Sequence, residues 1–535
     1  MRVATSFLGT QASKVNLPRA IVAREMLRYA AVDIGSNSTR MLAAEVVPGS
    51  PPQVLASERE VTRLGAGVFH DGRISNTALE DNARVLARMA ETYRRLDVVG
   101  VRAVATSAVR DASNQAEFIA RASAALGTPV EIVTGREEAR LIHQGVLSRW
   151  PQANKRILIV DIGGGSAEII SSENGTLVDA VSKPLGALRL QEMFLHGDPP
   201  APRELNQMTE FVDAKLEAAI ARMGIRWDRV IATSATAAAV VCAVNRLPRS
   251  RRDQADRLRS STAQIRKLYR NLAALDLSRR RKVAGIGPRR AEIIVAGSGT
   301  LLRILERFHA PAAYYSAAGV RDGIIADMAA RGVGGELARL SRDQRKEVER
   351  VALRFGASLK HGRQIAGFTQ YLFARLQVLH QLPMNYGRLI EAAAYFSEIG
   401  HHINDSGHHK HAYYIVANVD LSGFTNRERE FIANLCRYHR KAMPSPAHPE
   451  FQALTPDDRR PLMLLIPILR LADNLARSPK PDEVEIVSCE VQAARVLIRL
   501  RAAREPDLAE WAASRVSDVF DEVYGRAVIV SYERS

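Results

Sequence analysis

Two short segments of this chain repeat one arrangement. Asp33-Ile34-Gly35-Ser36-Asn37-Ser38 and Asp161-Ile162-Gly163-Gly164-Gly165-Ser166 each follow an apolar run, the second after Ile157, Leu158, Ile159 and Val160. A buried strand that ends in a carboxylate and then small residues lets backbone N–H groups converge on phosphate oxygens, because no Cβ blocks the approach. The aspartate can hold a hydrated divalent cation against the same oxygens. In both copies more strand follows, Arg40 to Val47 and Ala167 to Ser171. The order is therefore strand-turn-strand, not the strand-to-helix order of a dinucleotide or P-loop fingerprint. Two purely structural hairpins are the alternative, and the registered repetition weighs against it.

Other side chains could work beside these loops. Thr134-Gly135 turns the chain into a helix from Arg136 to Ser148, with Glu137 and Glu138 in its first turn. Helical spacing gives Glu138 the face of Leu141, Ile142 and Gly145, which must point inward. Glu137 falls nearer Arg140 and Gln144, which assigns it to solvent and to the helix dipole. A carboxylate on a buried face is costly without a partner or a task, which singles out Glu138. Glu168 lies two residues past Ser166, on the same side of its strand, where it could order water or metal beside Asp161. Arg110 follows a buried strand at a sheet end, where a guanidinium can grip phosphate, an ion pair with Asp111 being the rival role.

These residues need a frame. From Tyr29 to about Trp150 the pattern reads as a hairpin, a third strand (Val54 to Thr62), then helices (Ile74 to Arg95, Asn114 to Leu126) alternating with strands (Gly100 to Ala105, Val130 to Val133). It restarts at Ile157 with the second hairpin, a helix near Glu204 to Met223, a strand at Asp228 to Ala232 and an arginine-rich helical insert. A last strand, Ala291 to Ala296, and a helix, Thr300 to Phe308, close the unit. Two related α/β domains, 26–150 and 151–335, would thus face each other across a cleft. Residues 336–476 read as all-helical and 477–535 as a small α+β cap. Residues 1–25 precede the first strand without the apolar core of a signal peptide, and read as a flexible extension.

Composition bounds the partners. The 535 residues exceed what a single core supports, and the formal net charge of +17 favours a polyanion. Basic residues thicken between Arg246 and Arg290, yet only Tyr269 is interleaved among them, against single-strand nucleic-acid stacking. Three scattered cysteines fit a reducing, cytoplasmic setting, and no apolar stretch has the length of a membrane span.

The set Ala31 to Ser38, Ala105 to Ala112, Gly135 to Ile142 and Val160 to Glu168, in this order, closely resembles the exopolyphosphatase and guanosine pentaphosphate phosphohydrolase family. That family belongs to the actin, sugar kinase and heat-shock ATPase superfamily. The resemblance implies two actin-like (ribonuclease H-like) α/β domains followed by an all-α HD-like domain and an α+β cap. It also implies hydrolysis of the terminal phosphate of long-chain inorganic polyphosphate, or alternatively of guanosine pentaphosphate, with guanosine tetraphosphate as a related ligand. Mg²⁺ or Mn²⁺ would assist, with a monovalent cation such as K⁺ as a further candidate, in a cytoplasmic homodimer that uses neither membrane nor nucleic acid.

Carried over by position, Glu138 is similar to the general base, and Asp161 and Glu168 to the metal-associated catalytic carboxylates. Asp33, Gly35, Ser36, Asn37, Ser38, Arg110, Gly163, Gly164, Gly165, Ser166 and Arg321 are similar to phosphate binders. Arg437, His439, Arg440 and Lys441 would line a path for distal phosphates. Two departures stand out. Ala232-Thr233-Ser234-Ala235-Thr236 replaces a more glycine-rich turn, which speaks against ordinary ATP binding. Ser397-Glu398 replaces a His-Asp pair, with His361 and Asp473 at flanking positions, which speaks against a metal site in the histidine-rich stretch His401 to His411. A superfamily kinase would need an adenosine pocket and an acceptor-activating aspartate, neither of which is evident. A non-catalytic polyanion-binding or filament-forming relative would have no use for Glu138 with Asp161.

Overall fold

The computed structural model describes residues 26–47, 50–331, 338–476, 484–502 and 507–534; the 1–25 extension lies outside them. Two sheets share one plan. In the first, β1 (Leu27–Ile34), β2 (Thr39–Val46) and β3 (Gln53–Glu60) form an antiparallel meander, and β4 (Gly100–Ala105) and β5 (Val130–Ile132) extend it in parallel, in the order β3-β2-β1-β4-β5. In the second, β6 (Arg156–Ile162), β7 (Ala167–Glu173) and β8 (Thr176–Lys183) repeat the meander. β9 (Arg229–Thr233), β10 (Arg259–Ser261) and β11 (Ala312–Tyr315) complete the order β10-β11-β9-β6-β7-β8.

Strand alternation aims the two aspartates. On β1, Ala30, Val32 and Ile34 pack into the outer core with Leu79, Leu86 and Phe118, while Tyr29 and Ala31 face the other way. On β6, Leu158, Val160 and Ile162 face outward, and Ile157 and Ile159 face inward. Asp33 and Asp161 continue the inward-facing rows, since successive side chains alternate between faces. Between those faces runs the Gly135–Arg149 helix, with Leu141 packed on the first sheet and Ala139, Ile142 and Val146 on the second. The Val320–Ala330 helix crosses it closely. A Cβ on Gly323 would lie 1.8 Å from the carbonyl oxygen of Leu141, and one on Gly145 would lie 2.1 Å from that of Gly319. Only glycine permits this crossing, which fixes how deep the helix sits.

Two expectations need correction. The apolar run Ala291 to Ala296 is no strand: its second half opens the Ile294–Arg307 helix, which runs straight through Gly297, Ser298, Gly299 and Thr300. That helix is buried through Leu302 and its charged residues, Arg303, Glu306 and Arg307, all lie in its second half, so a short apolar run ahead of small residues imitates a strand and a turn. The arginine-rich insert also includes a strand, β10, besides its helices.

From Arg342 to Leu475 the chain is helical around one apolar core, which the C-terminal sheet of β12 (Val484–Val491), β13 (Arg495–Ala502) and β14 (Ala527–Arg534) joins through Ile486, Ile498 and Val530. No helix among the described residues is long and apolar enough to cross a membrane.

Candidate active site

The two hairpin turns close in the same way. The N–H of Gly35 donates to the carbonyl of Ser38 at 3.2 Å, and that of Gly163 to the carbonyl of Ser166 at 3.0 Å. They meet across the cleft. A Cβ on Gly164 would come within 3.0 Å of the Asn37 nitrogen, and one on Gly165 within 2.5 Å of Ser107 Oγ. The glycines thus let two backbone loops line one cavity, together with Asp33, Arg40, Glu138, Asp161 and Arg321.

Register assigns the partner of each aspartate. Asp161 sits opposite Glu168 on β7, and Asp33 sits opposite Arg40 on β2. One hairpin therefore pairs acid with acid and the other acid with base. Burial raises the Asp161 carboxyl, with the Glu168 charge adding to it, to about 7. Burial likewise raises Asp33, against the opposing pull of Arg40 and Arg321. Glu168 is 1% exposed, accepts from Ser182 Oγ at 2.7 Å, and is raised by burial. It stands behind Asp161 and is absent from the cavity lining.

Glu138 emerges from the first turn of its helix, whose N-cap Thr134 accepts from the N–H of Glu137 at 3.2 Å. It lines the cleft, and its Oε2 has no hydrogen-bond partner. Its nearest cation is Arg110, with Nη1 at 3.7 Å. Burial first, then the charge of Glu168, raises its affinity for a proton well above the ordinary carboxylate range. An acidic site with high proton affinity and a free oxygen is suited to accept a proton from water. Arg110 donates to the carbonyl of Val133 at 2.7 Å and stands behind Glu138 rather than lining the cavity. Its sequence rival falls away, because Asp111 pairs with Arg189.

Glu137 overturns its solvent assignment. It is 5% exposed and receives Arg140 at 2.7 and 2.8 Å, Arg102 at 3.2 Å and the N–H of Gly423 at 3.1 Å. Gly423 lies 286 residues away in the helical region, so its docking covers a face that the local pattern leaves open. The network continues from Arg102 and Arg140 to Asp327, then through Arg331 to Glu428 and Arg388.

Sequence reasoning missed the roles of several cations. Arg40, Arg252 and Arg290 line the cleft beside Arg321, and Arg59, Arg249 and Arg289 line a side cavity that opens from it. Among the described residues none of Arg59, Arg249, Arg252, Arg289 and Arg290 has a carboxylate partner, and only Arg252 makes a side-chain hydrogen bond, to Tyr315 and the Ser234 carbonyl. Burial and mutual repulsion lower Arg290 to about 9 and Arg59 to about 8. A guanidinium does not shed its proton to relieve such crowding, so these side chains are suited to meet an anion. The available signal was spacing: Arg40 stands seven residues after Asp33 as Glu168 stands after Asp161.

The glycine-poor turn after β9 also has a use. Ser234 adopts a left-handed φ of 78°, and its Oγ donates to the Ile162 carbonyl at 2.9 Å, tying the turn to the second loop. In the helical region, His439, Arg440 and Lys441 line a cavity of about 470 Å³ with His401, His408 and His409. Arg437 is not part of that lining and lies 3.6 Å from Glu450. His361 lies 3.7 Å from Glu398, whereas Asp473 acts on His408 and His439.

The carboxylates also bear on a cation. Among the described residues no group of three or more His, Cys, Asp and Glu side chains is placed to hold a metal by itself. Asp161 and Asp33 nevertheless fit an ion of the Mg²⁺ kind, which keeps several waters and takes one or two carboxylates plus substrate oxygens.

Comparison with known proteins agrees with this geometry. The Ppx/GppA phosphatase family matches residues 42–332, and the family's domain III matches 344–507. The chain is 26% identical over 496 residues to a Photobacterium profundum protein named guanosine-5'-triphosphate,3'-diphosphate pyrophosphatase, covering 89% of this chain and 92% of that one. A solved exopolyphosphatase from Cytophaga hutchinsonii superposes with a TM-score of 0.52 at 26% identity, covering 56% of this chain and 97% of its own. An exopolyphosphatase-like protein gives 0.53 at 26% identity, covering 57% and 98%.

Proposed function

The chain belongs to the Ppx/GppA phosphatase family, and from that premise we propose that it hydrolyses the terminal phosphate from a linear phosphate chain. The observation that carries this reading is the buried Glu138 oxygen, without a hydrogen bond and with only Arg110 near it, in the cavity lined by the paired Gly35–Ser38 and Gly163–Ser166 loops. The backbone N–H groups of the loops would hold the terminal phosphoryl group, and Arg40, Arg252, Arg290 and Arg321 the phosphates behind it. Glu138 orients a water and takes its proton. As the water oxygen bonds to phosphorus, the bridging anhydride bond breaks, giving inorganic phosphate and a chain one unit shorter. A divalent cation held at Asp161 and Asp33 would supply charge neutralisation of the phosphate oxygens. Glu168, behind Asp161, sets that carboxylate's charge and position.

Long-chain polyphosphate and guanosine pentaphosphate both present such a terminus. The named function of the Photobacterium profundum relative favours the second, and the exopolyphosphatase likeness the first. Phosphate release from long polyphosphate, guanosine pentaphosphate and ATP, measured in parallel with Glu138→Gln as control, tests the reading. Release from at least one of the first two, absent in the variant, is expected. Undiminished release by the variant would overturn it.

A further inference from the structure

The two loops are held from behind by different means. In the first, the N–H of Gly65 donates to the Ser36 carbonyl at 2.7 Å and the N–H of Arg63 to the Asn37 carbonyl at 3.3 Å. In the second, the opening turn of the Ala187–Phe194 helix takes this part. The N–H of Ala187 donates to the Gly163 carbonyl at 3.0 Å, and those of Leu188 and Arg189 donate to the Gly164 carbonyl at 2.8 and 3.0 Å. The Gly165 carbonyl, the counterpart of Asn37, has no backbone donor among the described residues and is held by a side chain, Arg189 Nε at 2.7 Å.

A trans peptide points its carbonyl and the following N–H in opposite directions. Pinning three successive carbonyls on the helix therefore turns the N–H groups of Gly164, Gly165 and Ser166 toward the cleft. Glycine at 165 imposes little torsional preference of its own, so the Arg189 contact decides which end of the Gly165–Ser166 peptide faces the cleft. Arg189 is in turn gripped by the first domain. Its Nη2 donates to Ser107 Oγ at 3.2 Å and to the Asp111 carboxylate, and its guanidinium carbon lies 3.9 Å from the centre of the Phe69 ring. The side chain is 14% exposed and absent from the cleft lining, which places it behind the loop. Only a guanidinium, with several donors in a fixed plane and a face that stacks on a ring, meets all these partners at once.

We propose that Arg189 is a positioning residue for hydrolysis. It holds the Gly165–Ser166 peptide with its N–H toward the terminal phosphate, and through Asp111 it makes that orientation depend on the first domain being in place. The proposal rests on the phosphatase reading above and adds to it a residue that acts on the loop.

The test measures phosphate release from long polyphosphate and guanosine pentaphosphate, with urea unfolding of each protein alongside. Wild type is compared with Arg189→Ala, Arg189→Lys, Asp111→Ala and the Arg189→Ala/Asp111→Ala double variant, with Glu138→Gln as control. Losing a donor aimed at developing charge costs about 10²–10³ in kcat, and Arg189→Ala should fall by about that much while KM, set by the cleft arginines, moves by about threefold or less. Arg189→Lys keeps a charge beside Asp111 but not a second donor for Gly165, so it should recover stability and leave kcat low. Asp111→Ala should lower kcat less, and should add nothing once Arg189 is gone, because it acts through that side chain. Methylguanidinium, which replaces the missing group, should raise turnover of Arg189→Ala, and ammonium at the same concentration should not. Full activity in Arg189→Lys, additive losses in the double variant, or turnover that falls only in step with stability would overturn the proposal and leave the phosphatase reading intact. A wild type that releases phosphate from neither substrate would remove that reading and the proposal with it.

Discussion

Adjacent residues on one helix should respond oppositely to the same chemical change. Glu137→Gln removes a buried negative charge from Arg102, whose side chain is 4% exposed, and from Arg140, at 12%. Breaking a buried pair by removing one partner costs about 3–5 kcal/mol. Glutamine keeps one acceptor oxygen, so a loss of roughly 2–4 kcal/mol is expected, since a hydrogen bond to a charged group is worth about 1.5–3 kcal/mol. The Glu137 carboxyl is held below the ordinary range; burial alone would raise it, but Arg140 and then Arg102 outweigh that. Its contribution is therefore present above the unfolded value and lost as pH falls through the folded one, so the deficit should shrink in acid. Glu138 has the opposite sign. Its raised proton affinity makes its charge a burden as pH climbs, so Glu138→Gln should stabilise the empty protein increasingly with pH while turnover falls by about 10² or more. Urea unfolding at pH 5 and 8, beside phosphate-release rates, separates the two. Equal stability changes of one sign in both variants would refute the division of labour between them.

Asp161→Asn removes a carboxyl raised to about 7 from an ordinary 3.8. A carboxyl raised on folding erodes stability as pH rises between those values, so the variant should gain at pH 8 by up to about 4 kcal/mol, at ~1.36 kcal/mol per unit, while losing activity. Mg²⁺ should raise the melting temperature of the wild type at pH 8 more than that of the variant; identical responses would remove Asp161 from cation binding. Arg110→Ala removes the charge that pulls the Glu138 carboxyl down. The acid limb of kcat/KM should therefore move to higher pH, and an unmoved limb would sever Arg110 from Glu138. Arg252→Ala and Arg290→Ala should each weaken polyphosphate binding and reduce the slope of log affinity against log salt by about one, by counterion-release logic. An unchanged slope would exclude them from phosphate contact. Lys441→Ala should raise KM for long polyphosphate but not for short chains; loss on both would deny the helical cavity a role in holding distal phosphates.

Local sequence revealed whatever local rules control. The apolar run followed by an acid and small residues marked Asp33 and Asp161, and i, i+3, i+4 spacing placed Glu138 with Leu141 and Ile142. Glu137 was illegible for a matching reason. Its surroundings are made by Gly423 and by Asp327, which reaches it through Arg140, and no window around residue 137 contains either. The arginines of the cleft failed differently. Arg252 and Arg290 stood out as basic, but a charge run looks the same on a solvated surface and on a cavity wall. What distinguishes them is the lack of carboxylate partners, a property of three-dimensional neighbours. The Ile294–Arg307 helix escaped because its first half is buried on every side and built of apolar and small residues, and the charged side chains that mark its period, Arg303, Glu306 and Arg307, come only after it.

The duplicated hairpins also explain why a nearly symmetric scaffold supports a directional reaction. Backbone geometry is repeated, down to the Gly N–H to Ser carbonyl closure of each turn. The cross-strand neighbour of the aspartate is not: Arg40 in the first hairpin, Glu168 in the second. One side of the cleft is thereby cationic, continuous with Arg290 and Arg321, and the other anionic, continuous with Glu138. In the proposed reaction, a phosphate chain laid between the loops would have its tail drawn toward the arginines, which would leave its terminal unit against the carboxylates. Those carboxylates, raised by burial and by one another, are where a proton from water is most readily received. Exchanging the two cross-strand residues would preserve both turns but oppose the charges that Arg290, Arg321 and Glu138 still present, so phosphate release should fall although the backbone scaffold is unchanged.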